Sequence, residues 1–263
     1  MKRLHLFEFE DFPWFPETLR NGITDYLSFV ANKYDVYKPI IPIIQKGMKA
    51  SGTKKIIDIA SGGGGGVKLI QKHLKNDGLK INIVLTDLYP NLGAYEKLRE
   101  ESGGEITYVE ETIDATEIPE HLNGFRMQLL SFHHFQPHMC KKILDNAVKN
   151  NVPIGIFELY ERDLKNLISV ILVPFYVLYL TLLMRPVKPL TLLFTYLVPI
   201  LPVIIFWDGM VSVLRSYTTG ELLAMAPSID GDGYIWEAGK VSGASGDEIT
   251  YLLGIPQSKT EEH

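Results

Sequence analysis

The chain has 263 residues, a single cysteine (Cys140) and a formal net charge of −5. That length suffices for one large core, or for one domain with an insertion. One cysteine excludes an internal disulfide and fits a reducing compartment, and the acidic balance argues against a general nucleic-acid binder, whose footprint is basic. The N-terminus turns from Met1-Lys2-Arg3 to Glu8, Glu10 and Asp11 with no long apolar run after it, so a cleaved signal peptide is not expected. Residues 7–16 alternate aromatic and acidic side chains, and helical patterns follow over 17–33 and 37–50. These read as a helical cap whose aromatics Trp14, Phe15, Tyr34 and Tyr37 line an apolar pocket or belt a membrane surface.

Residues 55–67 read K-I-I-D-I-A-S-G-G-G-G-G-V: an apolar strand, an acid, two small residues, five glycines, then a helical pattern. Each glycine loses more backbone freedom on folding than any other residue, so such a run implies that another group lies against bare backbone. Strand, glycine turn and helix N-terminus together form a cradle for a nucleotide cofactor. The dinucleotide fingerprint G-x-G-x-x-G fits poorly. Counted from Gly62 and Gly64 its third position falls on Val67, and counted from Ala60 and Gly62 its first glycine is missing. Asp58 stands at the strand end, where it repels a pyrophosphate and suits a ligand with a positive ammonium group. The run D-I-A-S-G-G-G resembles motif I of the class I S-adenosylmethionine-dependent methyltransferases, D-x-G-x-G-x-G, with Ala60 in place of the first glycine and Ser61 after it.

Further landmarks follow in that family's order. A strand over 81–86 ends at Asp87, with Leu88 beside it, and an acid there accepts hydrogen bonds from ribose hydroxyls. An alternating strand over 106–113 ends at Asp114-Ala115, which resembles the position that takes the adenine amino group. A fourth strand over 124–132, containing Ser131, leads into His133-His134, and a fifth over 152–157 ends at Glu158. Helical stretches lie between, over 67–74, 92–101 and 138–149. Strands alternating with helices imply a parallel sheet with ligands at the carboxyl ends of its strands. Asp87 and Asp114 also have a plainer role open to them, as caps of the turns that follow. Arg126 departs from the family, which commonly has an acid near the start of the fourth strand.

After the fifth strand come two uncharged runs of 18 residues, 167–184 and 190–207, separated by Arg185, Lys188 and two prolines. Straight, each would reach about 27 Å at ~1.5 Å per residue, marginal against a hydrocarbon core of about 30 Å. Pro174, Pro199 and Pro202 shorten that reach. A spanning hairpin would also place Arg185 and Lys188 outside, against the positive-inside tendency. A hairpin that dips into the cytoplasmic leaflet fits better; a soluble apolar lid is the competing arrangement. Asp208-Gly209 then reads as a turn, 211–217 as an apolar stretch, Thr218 to Glu221 as a capping box, and 234–241 with 249–255 as a closing hairpin joined by 242–248.

The expected architecture is α/β: a Rossmann-like doubly wound sheet of seven strands with an antiparallel last strand, an N-terminal helical cap (1–50), and a hydrophobic helical hairpin (164–207) inserted between the two parts of the sheet domain (51–163 and 208–263). The resemblance implies S-adenosylmethionine as cofactor, held by Asp58, Ala60, Ser61, Gly62, Gly64, Asp87, Leu88, Asp114, Ala115 and Ser131, with the helical cap covering it. Methyl transfer needs chiefly proximity and orientation, plus a general base when the acceptor is a hydroxyl or amine. His133, His134 and Glu158 are the candidates. A metal site from His133, His134, His138 and Cys140 is not expected, because adjacent histidines seldom share an ion. The acceptor is expected to be a lipophilic small molecule at the cytoplasmic side of a membrane, such as an isoprenoid quinone precursor, a carotenoid, a lipid headgroup or an acyl double bond. Membrane lipids are expected partners, nucleic acid is not, and oligomeric state is left open. A membrane adaptor that keeps the fold without catalysis is the alternative, and a soluble oxidoreductase a distant third.

Overall fold

Helix α1 (Glu17–Tyr34) opens the regular structure, and α2 (Ile41–Ser51) ends at Gly52 in the left-handed conformation at φ 65°. There follow β1 (Lys55–Ile59), α3 (Val67–Asn76), β2 (Asn82–Thr86), α4 (Leu92–Glu101), β3 (Ile106–Tyr108), β4 (Phe125–Leu129), α5 (Pro137–Lys149) and β5 (Ile154–Glu158). Next come α6 (Leu164–Ile171), α7 (Val173–Thr181), the short α8 (Pro189–Leu192) with a π turn over Leu193–Leu197, and α9 (Ile200–Arg215). The chain closes with α10 (Thr219–Met225), β6 (Tyr234–Ser242) and β7 (Glu248–Pro256). This computed structural model describes residues 1–12, 14–227, 233–243 and 248–257. Most of the expected 242–248 connection lies outside them. Two compact units result: 37–159 with 218–263, and 1–36 with 160–217.

The first unit is a seven-stranded sheet in the order β3-β2-β1-β4-β5-β7-β6. Pairs from β3 through β5 are parallel, while β7 runs antiparallel to both β5 and β6. β1, β4 and β5 are buried along almost their whole length, as expected of central strands covered on both faces. The edge strand β6 is half-exposed and carries Glu237 and Lys240, which blunt it against further pairing. Gly47 of α2 lies flat on the Phe125 ring, leaving no room for a Cβ. Arg126 is 1% exposed and its guanidinium donates to Asn146 of α5; burial draws its pKa down to about 10. The capping box forms as expected: Glu221 N–H donates to Thr218 Oγ1 at 3.2 Å and Thr218 N–H to Glu221 Oε2 at 2.9 Å.

β3 is shorter than the expected 106–113. Val109 N–H still donates to Leu85 O at 3.0 Å, but Glu110, Glu111 and Thr112 turn out into solvent and the ladder stops. The chain then touches the end of β2 again, where Ile113 N–H donates to the Asp87 carbonyl at 2.9 Å.

The second unit is helical. Phe15, Ile23 and Tyr26 meet Val177, Leu180, Leu201, Ile204 and Ile205 in one core. The expected turn at Asp208-Gly209 does not exist, because α9 runs straight through it. Inside the helix Gly209 packs beside Val170 of α6 with room for a side chain, and buried Asp208 accepts the Phe9 N–H at 2.8 Å. Arg215 anchors the N-terminal strap through Leu6 O at 2.6 Å and Asp11 Oδ2 at 2.6 Å. The helical unit therefore runs to Tyr217 and takes in the N-terminal segment up to Val36, whereas 37–50, expected in the cap, packs on the sheet. The two apolar runs are broken too, by 45° between α6 and α7 and by 80° before α9. Pro174 and Pro199 sit at these breaks, while Pro202 falls in the first turn of α9, where its missing N–H costs no hydrogen bond. Among the described residues no single helix is long and apolar enough to cross a membrane, although the two bent pairs reach the length and composition together. Phe175 (69%), Tyr179 (62%) and Leu197 (80%) stand exposed on these helices.

Candidate functional site

Strand order reverses between β1 and β4, and in open α/β sheets ligands bind where the order reverses, at the carboxyl ends. The glycine turn after β1 and the His133 turn after β4 lie on either side of that point. Each begins with a non-glycine residue in the left-handed region, Ala60 at φ 52° and Leu130 at φ 49°. Such residues each cost about 1–2 kcal/mol and gather at functional sites.

The glycine turn is pinned to the neighbouring strand through Ser61. Its N–H donates to Thr86 O at 3.0 Å, its hydroxyl to the Asp58 carbonyl at 3.0 Å, and Thr86 Oγ1 donates to the same carbonyl at 2.8 Å. Three glycines are needed for three different reasons. Gly62 has φ 54° and open space where a Cβ would be. Gly64 has φ 66°, and a Cβ there would sit 2.6 Å from Leu98 Cδ1. Gly66 lies under the Tyr37 ring, 2.6 Å from a would-be Cβ. Asp87 reaches across the turn, accepting the Gly62 N–H on one oxygen at 2.8 Å and the Tyr89 N–H on the other at 2.8 Å.

Asp58 is 2% exposed, and its Oδ1 has no hydrogen-bond partner among the described residues. Burial pushes its pKa from 3.8 up to about 7, with Ser61 opposing through a hydrogen bond and Asp87 adding repulsion. A buried, unanswered carboxylate oxygen beside bare glycine backbone suits a cationic group. The Tyr95 hydroxyl, also buried and without a partner among the described residues, has its pKa raised by burial and by the charges of Asp87 and Asp58.

Asp114 is exposed, and its Oδ1 accepts both the N–H and the hydroxyl of Thr116 at 2.8 Å, so it does cap a turn. The Ile113–Asp87 hydrogen bond nevertheless holds it beside the end of β2. Ala115 is buried next to it. Leu88 is 42% exposed. Ser131, after the strained Leu130, has a buried hydroxyl without a partner among the described residues.

On the other side of the switch point Glu158, 2% exposed, organises the turn over Phe132–His134. One oxygen accepts the Phe132 N–H at 2.7 Å and the His133 N–H at 3.2 Å, and the other lies 2.7 Å from His133 Nδ1. An ionised carboxylate only accepts, so in this pair the imidazole Nδ1–H is the donor. His134 stacks beside it, ring centroids 4.3 Å apart. Of the three candidates the structure thus joins His133 and Glu158. His138 is exposed, and the Cys140 thiol turns to the carbonyls of Phe132 and Phe135. Sequence reasoning named Tyr37 as a cap aromatic lining an apolar pocket or belting a membrane, not as a neighbour of the glycine turn. It is buried over Gly66, and burial with the charges of Asp58 and Glu158 raises its pKa. Its spacing ahead of the motif carried no signal, because a separate turn and helix intervene.

No protein-family model matches the chain, and no curated protein sequence matches it. Solved structures do. An O-methyltransferase family 2 protein from Planctomyces limnophilus, in complex with apigenin, superposes with a TM-score of 0.51 at 12% identity, over 91% of this chain and 62% of that one. The fold is that of the class I methyltransferases. Weaker likenesses are the pyocyanin biosynthetic protein PhzM (TM-score 0.45, 15% identity, 76% of this chain and 50% of that one) and an O-methyltransferase family protein from Burkholderia thailandensis (0.45, 14%, 85% and 57%). The chain spans from half to about three-fifths of the length of these proteins. On the methyltransferase fold, the seventh strand inserts antiparallel beside the fifth, as the sequence implied.

Proposed function

We propose that the protein transfers a methyl group from S-adenosylmethionine to a hydroxyl or amine of a lipophilic acceptor at a membrane. The observation that carries this reading is the pairing of groups across the switch point: an unanswered carboxylate oxygen on Asp58 on one side, and His133 oriented by Glu158 on the other. Asp58 would hold the ammonium of the cofactor. Asp87 would take the ribose hydroxyls on the lone pairs its two N–H donors leave open, and Asp114 would stand beside the adenine. When bound, the cofactor supplies a methyl group on a sulfonium, which needs little further activation. His133 Nε2 accepts the proton that the acceptor loses, and Glu158 steadies the resulting imidazolium while fixing the ring's tautomer. The Glu158 bond to Nδ1 is the reason His133, rather than His134, is assigned the base.

Exposed apolar side chains on α6, α7 and the segment before α9 support attachment at the cytoplasmic face through 167–207. Calorimetry with S-adenosylhomocysteine and with NAD tests the cofactor. The former should bind, and Asp87→Ala should weaken it at least ~10-fold, since two hydrogen bonds to a charged acceptor are lost. Tighter binding of NAD, or an unchanged affinity in Asp87→Ala, overturns the assignment.

A further inference from the structure

The helical unit carries an apolar groove of about 580 Å³ around the 80° break that precedes α9. Phe9, Trp14 and Phe15 from the N-terminal strap form one wall, and Val198, Val203 and Ile204 form the other. Pro199, at ψ 56°, prevents the preceding turn from running on into α9, so the groove is held open by the backbone itself. Phe15 and Ile204 are buried and make its floor, whereas Trp14 (68% exposed) and Val203 (62%) stand at its rim. The volume is that of a small-molecule site, yet every described lining residue is apolar or aromatic. Ordinary ligand pockets add a few polar groups that fix orientation.

That absence selects the occupant. A peptide would bring N–H and C=O groups that nothing in the groove can answer, and a polar metabolite would bring worse. A hydrocarbon chain has no polar group to satisfy. Leu197 and Val198, 80% and 45% exposed, extend the apolar surface from the groove outward, and Trp14 at the rim is a residue type suited to the boundary between lipid and water. We propose that the groove takes one hydrocarbon chain, acyl or prenyl, of a lipid drawn from the bilayer. This rests on the membrane reading above but not on methyl transfer.

The test uses phosphatidylcholine vesicles in which a fraction of the acyl chains carry a diazirine. After sedimentation and illumination, adducts on the full chain are mapped by mass spectrometry. Adducts should appear on Trp14, Val198 and Val203, as well as on the exposed Phe175 and Tyr179 of α7. In Val203→Asp, an exposed position where the charge leaves folding intact, the Trp14 and Val198 adducts should fall at least tenfold while those on α7 persist. Leu164→Asp, equally exposed on α6, should leave the groove adducts unchanged. Sedimentation with adducts confined to α6 and α7, or groove adducts indifferent to Val203→Asp, overturns the groove and leaves membrane contact standing. Failure to sediment with the vesicles overturns both.

Discussion

Ala60 and Leu130 hold left-handed backbone at the two turns that flank the switch point, and only Ala60 was visible in advance, as a missing glycine in a motif. Ala60→Gly should relieve about 1–2 kcal/mol of strain and lose roughly 0.5–1 kcal/mol to the freer unfolded chain. A net gain on the order of 1 kcal/mol is expected, read as a rise of a few degrees in thermal midpoint; a fall would show that the methyl group makes a packing contact that outweighs its strain. Asp58 yields a pH prediction. Its folded pKa, about 7, lies above the ordinary 3.8, so between those values the folded state holds a proton that the unfolded chain has released. Its contribution is therefore present at low pH and lost as pH rises through about 7. Denaturation of the ligand-free protein should show stability falling across that window, and Asp58→Asn should flatten the fall. Cofactor binding should run the opposite way, tightening with pH as Asp58 ionises against the ammonium. An identical slope in Asp58→Asn would assign the titration to another group. Asp58, Asp87 and the glycines were legible because the motif couples residue type to the end of a strand. The choice between His133 and His134 was not, since it turns on the bond from Glu158 to His133, set up by β4–β5 pairing.

At the scale of elements, the turn after β4 depends on the end of β5. Glu158 accepts two backbone N–H groups of that turn besides holding the imidazole. Glu158→Gln keeps an acceptor oxygen for the backbone but removes the charge that steadies the imidazolium. Turnover should fall about 10²-fold, the usual scale of general-base catalysis, with S-adenosylhomocysteine affinity nearly unchanged. An equal loss in both would mean the residue only holds the turn in place. Regular elements were legible where local pattern and burial agree: β1, β4, β5, α3, α4 and the capped α10 all fall within a few residues of expectation. The errors share a cause. Ile113 continues the alternation begun at Ile106, but the acids between them leave the sheet for solvent. Asp208-Gly209 has turn chemistry, but it lies inside α9, where the buried aspartate accepts a distant N–H. In both places the surrounding fold, which local pattern cannot display, decides the outcome.

For the molecule as a whole, the division into units departs from the expected one because the N-terminal strap belongs with the helices after β5. Arg215, Asp208 and Trp207 of α9 bond the strap's Leu6, Phe9 and Phe7 respectively. Contacts some 200 residues apart in the chain leave no trace in composition or periodicity. What the sequence did display is the strongly apolar character of 167–207, and the exposure of Phe175, Tyr179 and Leu197 gives that character a surface. The most direct test of the central claim combines cofactor, base and acceptor in one measurement. The protein is incubated with S-adenosylmethionine labelled in its methyl group and with total membrane lipids, and the apolar extract is counted. Label should enter that extract with the wild-type chain and fall about 10²-fold or more with His133→Ala, while His134→Ala stays close to wild type. A protein that binds the cofactor but leaves the lipid extract unlabelled, or one in which His133→Ala transfers label as fast as wild type, would contradict the account.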